Sequence, residues 1–256
     1  LYRNEKLITI KPSLVLKPND VILVVGKPYV LMQVYNAIGK NQGQFPMPFG
    51  HNLYLYLDLY LEDEKSVKKA IQEAKFLNQR LKNQKLIVRI TRPTTVPIME
   101  YIKDELRHFS SIILRIDYGN KGMFRILRED FRVFDIGMIM LTQEMFRDKE
   151  EIARIMDFRL PLFKIGKEKL KSIKSTVVLL NDTHSYEQIS PMVFDVASQI
   201  KTKTKIFDLD PIGEEEDKSN LLDHFENLAK IFNEKIEIVS SNENPIRKLK
   251  KEKNML

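Results

Sequence analysis

Asp182, Thr183, His184 and Ser185 follow directly on the apolar run Thr176–Leu180. At the carboxyl end of a parallel strand these residue types suit ligand capture. The Asp182 carboxylate can accept hydrogen bonds from a base or a ribose, with two hydroxyls and an imidazole beside it. Asp182, Thr183 and Ser185 are also turn and helix-capping types, which is the plainer reading of the same residues. Asp58 holds the matching place earlier in the chain, although the apolar run continues beyond it through Leu59–Leu61. Arg89, Thr91 and Arg92 end another apolar run ahead of a helix start at Thr95. Guanidinium groups there could hold a phosphate or a carboxylate, or they form only a basic loop.

Other chemistries are excluded by what the chain lacks. It has no cysteine, so thiol catalysis, disulfides and thiolate zinc sites are ruled out. Its four histidines, His51, His108, His184 and His224, include no i, i+4 pair of the kind that binds a metal on a helix, and no metal site is expected. Ser185, His184 and Asp182 are too close in sequence to form a catalytic relay, and no G-x-S-x-G elbow occurs. The acidic run Glu214–Asp217 precedes a helix start near Ser219 and serves the helix dipole or solvation. Catalysis is therefore not expected.

These residues need a framework, and composition permits one. The 256 residues are 43% hydrophobic and 30% charged, an ordinary globular balance for one large domain or two smaller ones. The net charge is +7. The stretch Asn244–Leu256 holds five basic residues against one acid and so accounts for +4 of it. The rest is nearly neutral, without the broad basic face of a nucleic-acid reader, and no nucleic-acid partner is expected. The longest near-apolar run, Leu53–Leu61, contains Asp58 and is far short of the roughly 20 residues of a membrane span. No signal peptide is recognised at the start, and Leu1 in place of a methionine implies a fragment or a processed product.

Patterning gives the elements. Glu5–Ile10 and Asp20–Val25 read as a hairpin, followed from Pro28 by a helix with Val30, Leu31, Val34, Tyr35 and Ile38 on one face. Residues 39–51 hold three glycines and two prolines and read as an exposed linker. Strands then read at Leu53–Leu59, Leu86–Ile90, Ser111–Ile116, Phe134–Leu141, Leu160–Ile165, Thr176–Leu180, Lys205–Leu209 and Ile236–Val239. Helices read at Glu62–Lys82, Thr95–Arg107 (capped by Thr95), Met123–Glu129 and Gln143–Met156. Another starts near Ser190–Pro191, one is marked by Leu221 to Phe232, and a last opens at Pro245. Alternation of this kind predicts an α/β fold of mostly parallel open sheets with crossover helices. The expected organisation is a hairpin-plus-helix segment over 1–38, a linker over 39–51, and two tandem units over 52–170 and 171–256, the second either truncated or completed by another segment.

Two resemblances rest on these segments. LITIKPSLVLKPNDVILVVGKPYVL resembles the end of a TrkA-C domain, the C-terminal half of RCK regulators of potassium transport. In that family a last hairpin passes through a Gly-Asp or Asn-Asp turn into an apolar strand ending in glycine, and Asn19, Asp20 and Gly26 hold those places. The remainder resembles two universal-stress-protein units in tandem. FDIGMIMLT followed by RLPLFKIG is similar to that family's fourth and fifth strands. IKSTVVLLNDTHS is similar to its first strand, and KIEIVSSNENPIRKLKK to a third strand entering its helix.

The resemblances imply a cytoplasmic regulatory, ligand-binding module of a bacterial potassium channel or uptake system, partnered by a membrane pore or transporter subunit and paired as a homodimer through residues 1–40. The alternative is a soluble stress-type nucleotide-binding protein. ATP-binding stress proteins cradle phosphates in a glycine-rich loop after the fourth strand. Here that stretch, TQEMFRDKEEIARIMDFRLP, has no glycine, so a family-type ATP site is not expected in the first unit. The ligand itself stays unnamed, a nucleotide among the possibilities.

Overall fold

A computed structural model describes residues 2–3, 6–11, 14, 22–27, 30–31, 45–46, 49–180, 183–208, 225–226, 229, 235–240 and 247. The chain divides into two compact units, Leu1–Gly39 and Lys40–Leu256.

In the first unit β1 (Tyr2–Arg3) pairs antiparallel with β2 (Lys6–Leu7). This is not the expected hairpin. Only two residues of Glu5–Ile10 are in a strand, and they pair with the chain just before them. Ile22–Val25 lies outside regular structure, with Leu23, Val24 and Val25 exposed. An apolar run forms a strand only where a partner edge is offered. Val30 and Leu31 are helical, as the sequence predicts.

The second unit is α/β. Its larger sheet contains β3 (Asn52–Asp58), β4 (Leu86–Thr91), β5 (Ile112–Asp117), β6 (Ile136–Leu141) and β7 (Leu162–Lys164), all parallel, in the order β5-β4-β3-β6-β7. The first strand is thus central, and the order reverses between β3 and β6. All seven residues of β3 are buried. Leu53, Leu55 and Leu57 face α1 (Glu64–Arg80) and α2 (Val96–Leu106), whereas Tyr54 and Tyr56 face α3 (Met123–Asp130) and α4 (Lys149–Met156). A strand covered on both sides needs no polar face, and each fully buried Leu contributes about 1.5–3 kcal/mol.

The helices follow their predicted stripes. Asp63 caps α1 by accepting from Ser66 N–H at 2.6 Å, and Val67, Ala70, Ile71, Ala74 and Leu77 form its buried face. Thr95 stands at the cap position of α2 without a side-chain cap bond, and Pro97 sits in the first turn. The segment predicted as one helix over Gln143–Met156 is broken. A 3₁₀ turn covers Met145–Arg147, and Asp148 then caps α4 by accepting from Glu151 N–H at 3.0 Å.

The smaller sheet has β8 (Ser175–Leu180), β9 (Lys203–Asp208) and β10 (Ile236–Ser240), parallel, in the order β10-β9-β8. α5 (Thr183–Ile200) connects β8 to β9. It begins well before the predicted start at Ser190–Pro191 and runs through Pro191. Proline favours a first turn and usually marks a helix start. Here packing of the following turns prevails, with Phe194 and Ala197 fully buried.

This sheet does not stand apart from the larger one. Met192, Val196 and Ile200, one stripe of α5, pack into the core of α1 and α2, while Phe194 joins Val178, Ile206, Phe225 and Ala229. Two expected units thus share α5. The segment predicted as an exposed linker is also packed where it is described. Phe45 is 1% exposed, donates its N–H to Asp195 at 2.7 Å, and offers its carbonyl to Gln199 at 3.1 Å. Gly50 is required by close approach, since a Cβ there would lie 2.5 Å from the Ile136 carbonyl oxygen. Gly/Pro content marks an irregular path, which is not the same as an exposed one.

Candidate functional site

In open parallel sheets the crevice outside the strand carboxyl ends, where the strand order reverses, is the usual ligand position. Here that place lies beyond Asp58 of β3 and Leu141 of β6.

Two residues predicted from sequence meet there. Asp58, buried at the end of β3, accepts both 2.9 Å bonds from Arg92 Nε and a further bond from Arg92 Nη2. The Tyr60 N–H also donates to Asp58 at 3.2 Å, and the Arg92 guanidinium lies 4.9 Å from the centre of the Tyr60 ring. Arg92 has φ 45°, a left-handed conformation costing a non-glycine residue about 1 kcal/mol or more. Its own N–H bond to the Asp117 carbonyl and the fork to Asp58 hold it there. The pair raises the Arg92 pKa through the hydrogen bond to Asp58. Asp58 is therefore engaged within the protein.

Arg89 is placed elsewhere. Its side chain turns into the face covered by α3, where Nε donates to Asp130 Oδ2 at 2.7 Å and Nη2 donates to Asp130 Oδ1. The Tyr54 hydroxyl donates to Asp130 Oδ2 at 2.5 Å, the oxygen that also accepts from Arg89 Nε. Strand alternation is the reason, since Arg89 shares the face of Ile87. The expectation that Arg89 serves the strand-end crevice is thereby corrected. Burial, then the Asp130 charge, pushes the Tyr54 pKa well above its usual value.

Asp182 lies outside the described residues. Thr183, His184 and Ser185 form the first turn of α5 and not the free loop read from the sequence.

The crevice also holds residues that the sequence reading passed over. Thr142, directly after β6, donates its hydroxyl to Glu62 Oε1, bridging the loops on the two sides of the switch. Glu62 Oε2 is buried without a hydrogen-bond partner. Burial raises the Glu62 pKa, the Thr142 bond opposes this, and the carboxylates of Glu144, Asp63 and Asp58 add to the rise. A cavity of about 220 Å³ adjoins, lined by Leu59, Glu62, Glu64, Val67, Thr94, Thr95 and Ile98. Behind it Thr91 donates to the Tyr56 hydroxyl at 3.1 Å, and burial pushes the Tyr56 pKa up to about 12. On the same sheet edge Tyr60, Leu61, Val96 and Tyr118 are exposed. The available signal for Glu62 was its place four residues after Asp58, where it reads only as the start of a helix.

Among the described residues no cluster of three or more His, Asp or Glu is placed to hold a metal ion, and no helix is long and apolar enough to cross a membrane.

The fold and this crevice define a doubly wound α/β protein with acidic and hydroxyl groups at its switch point. No family model matches the chain, and no curated protein matches it. Among solved structures, a dihydropteroate synthase of Xanthomonas albilineans, in complex with indole-2-carboxylic acid and 6-chloroguanine, is similar over 81% of this chain and 78% of its own, at 14% identity and a TM-score of 0.22. That likeness is too slight to bear on fold or function.

Proposed function

We propose that the chain is a non-catalytic, ligand-binding regulatory module that acts from the cytoplasm on a bacterial potassium channel or uptake system. The observation that carries the ligand-binding part is Glu62, whose Oε2 is buried without a partner beside a cavity at the switch point. An unpaired buried acceptor is costly, and a ligand supplying a donor would relieve it. The carboxylate of Asp58 is held by Arg92 and one oxygen of Glu62 by Thr142, an arrangement suited to positioning and not to turnover. The potassium-transport part rests on the TrkA-C-like segment at Leu7–Leu31.

The test has two arms. Cells lacking the protein are grown at limiting potassium and complemented with the wild type or with Glu62→Ala. Complementation by the wild type and its failure with Glu62→Ala, at equal protein level, supports the reading. Normal growth without the protein overturns the potassium role. In parallel, a thermal-shift screen of nucleotides and amine-bearing metabolites seeks a stabiliser, since a ligand at 100 times its dissociation constant adds about 2.7 kcal/mol. A nucleotide that stabilises the wild type but not changes at Gln143–Arg147 favours the alternative, a stress-type nucleotide-binding protein.

A further inference from the structure

We propose that a second site, the lysine-lined cleft between α1 and the segment 166–170, binds a compact, multiply charged anion of the oligophosphate class. The cleft has a volume of about 510 Å³ and is lined by Glu64, Lys65, Lys68, Lys69, Gln72, Lys167 and Lys169. Five cations thus face one acid, in a chain whose body is otherwise close to neutral.

The α1 residues lie at i, i+3, i+4 and i+7, which places Lys65, Lys68, Lys69 and Gln72 along one face of the helix. The opposite wall is fastened to that helix. Lys69 Nζ donates to the Gly166 carbonyl at 2.5 Å and also to the Lys167 carbonyl. The buried carboxylate of Glu73 accepts from Leu170 N–H at 2.9 Å. These bonds hold Lys167 and Lys169 opposite Lys65 and Lys68 before any ligand arrives. Glu64 pairs with Lys68 and answers one charge. The remaining like charges repel one another, and a concave surface concentrates their field. A bound polyanion would remove that repulsion.

Dimensions select the class of anion. Lys65 to Gln72 spans about 10 Å of helix, the scale of a few linked phosphates and far shorter than the basic track of a nucleic-acid reader. Lysine binds phosphate as a mobile point charge and needs no glycine-rich backbone cradle. Asp58, Arg92 and Thr142 do not line the cleft, and Glu64 is the residue it shares with the switch-point cavity.

The test is calorimetric titration of the full chain with inorganic tripolyphosphate, with sulfate at matched ionic strength as control. Saturable binding that weakens as salt rises is expected. Lys65→Ser combined with Lys169→Ser should weaken it about a hundredfold, each lost charged contact being worth about tenfold. The melting temperature of the unliganded variant should stay near that of the wild type. Lys65→Glu gives an independent second variant, and Arg92→Ala should leave binding unchanged. No saturable binding, equal affinity in the lysine variants, or sulfate binding as tightly overturns the proposal. Loss of binding on Arg92→Ala alone moves the anion to the crevice and also overturns it.

Discussion

Arg89 and Asp130 form a forked ion pair beneath α3, with both side chains almost fully buried and the Tyr54 hydroxyl completing the carboxylate's bonds. One partner comes from the second strand of the sheet, the other from the last residue of α3. The pair fixes that helix end over the sheet centre. Removing one partner leaves a buried charge unanswered, which costs about 3–5 kcal/mol. Asp130→Asn or Arg89→Met should therefore lower stability by that order in urea denaturation. Arg89→Met with Asp130→Leu together should recover most of the loss. Tyr54→Phe should cost less, about 1.5–3 kcal/mol, the range for one hydrogen bond to a charged group. Single variants as stable as the wild type would show that the pair does not hold α3.

Glu62 makes stability depend on pH in an unusual direction. Its folded pKa is raised, first by burial, so the native state holds its proton at a pH where the unfolded chain has released it. Stability contributed by this group is full below the ordinary carboxylate range and declines as pH rises through the folded pKa. Glu62→Gln removes the titration while keeping an acceptor for the Thr142 hydroxyl. The variant should melt higher than the wild type near neutral pH, and the gain should vanish below the reference Glu pKa of about 4.3. A gain of equal size at both ends of the range would place its origin outside ionisation.

The order of elements in the larger sheet was legible because its signals are local. The all-buried pattern of β3, the stripes of α1 and α2 and Thr95 at the cap position of α2 are written within a few residues each. What was not legible depends on partners far along the chain. Arg89 and Asp130 are 41 residues apart, Thr142 and Glu62 are 80 apart, and Phe45 and Asp195 are 150 apart. Asp58 and Arg92 were each singled out as strand-end residues, but their pairing needs two parallel strands in register, with Asp58 opposite Thr91. The early start of α5 was hidden by Pro191, whose local signal was overridden by packing of the turns after it.

Phe45 tests whether the Gly/Pro segment is structural. It is fully buried in the α1–α2 core and tied to α5 through Asp195 and Gln199. Phe45→Ala should lower stability by about 3–5 kcal/mol, as for other buried aromatic truncations. An exposed linker would tolerate the same change within about 0.5 kcal/mol. Urea denaturation followed by circular dichroism separates the two outcomes.

Leu7, Ile10, Leu23, Val24 and Val25 are exposed in the Leu1–Gly39 unit. Exposed apolar side chains on so small a piece call for cover, which a second copy would supply. The expected result is a homodimer in light scattering that becomes a monomer when residues 1–44 are removed. A monomer in both cases, or a dimer unaffected by the truncation, rejects pairing through this unit.

ATP should not occupy the switch-point crevice. A phosphate there needs convergent N–H donors or free cations. The loop Thr142–Asp148 offers no glycine for close backbone approach, its Arg147 pairs with Glu144, and Arg92 is committed to Asp58. Glu62, Asp58 and Glu144 make the local field unfavourable to a further anion. The lysine cleft could bind triphosphate independently, so the titration is best run on the Lys65→Ser, Lys169→Ser variant. No saturable ATP binding is expected in that background. Arg92→Ala should not create it, because freeing the Asp58 carboxylate adds negative charge to the crevice. Micromolar binding that survives the lysine changes and is abolished by substitutions at Gln143–Arg147 would instead place a nucleotide at the switch point.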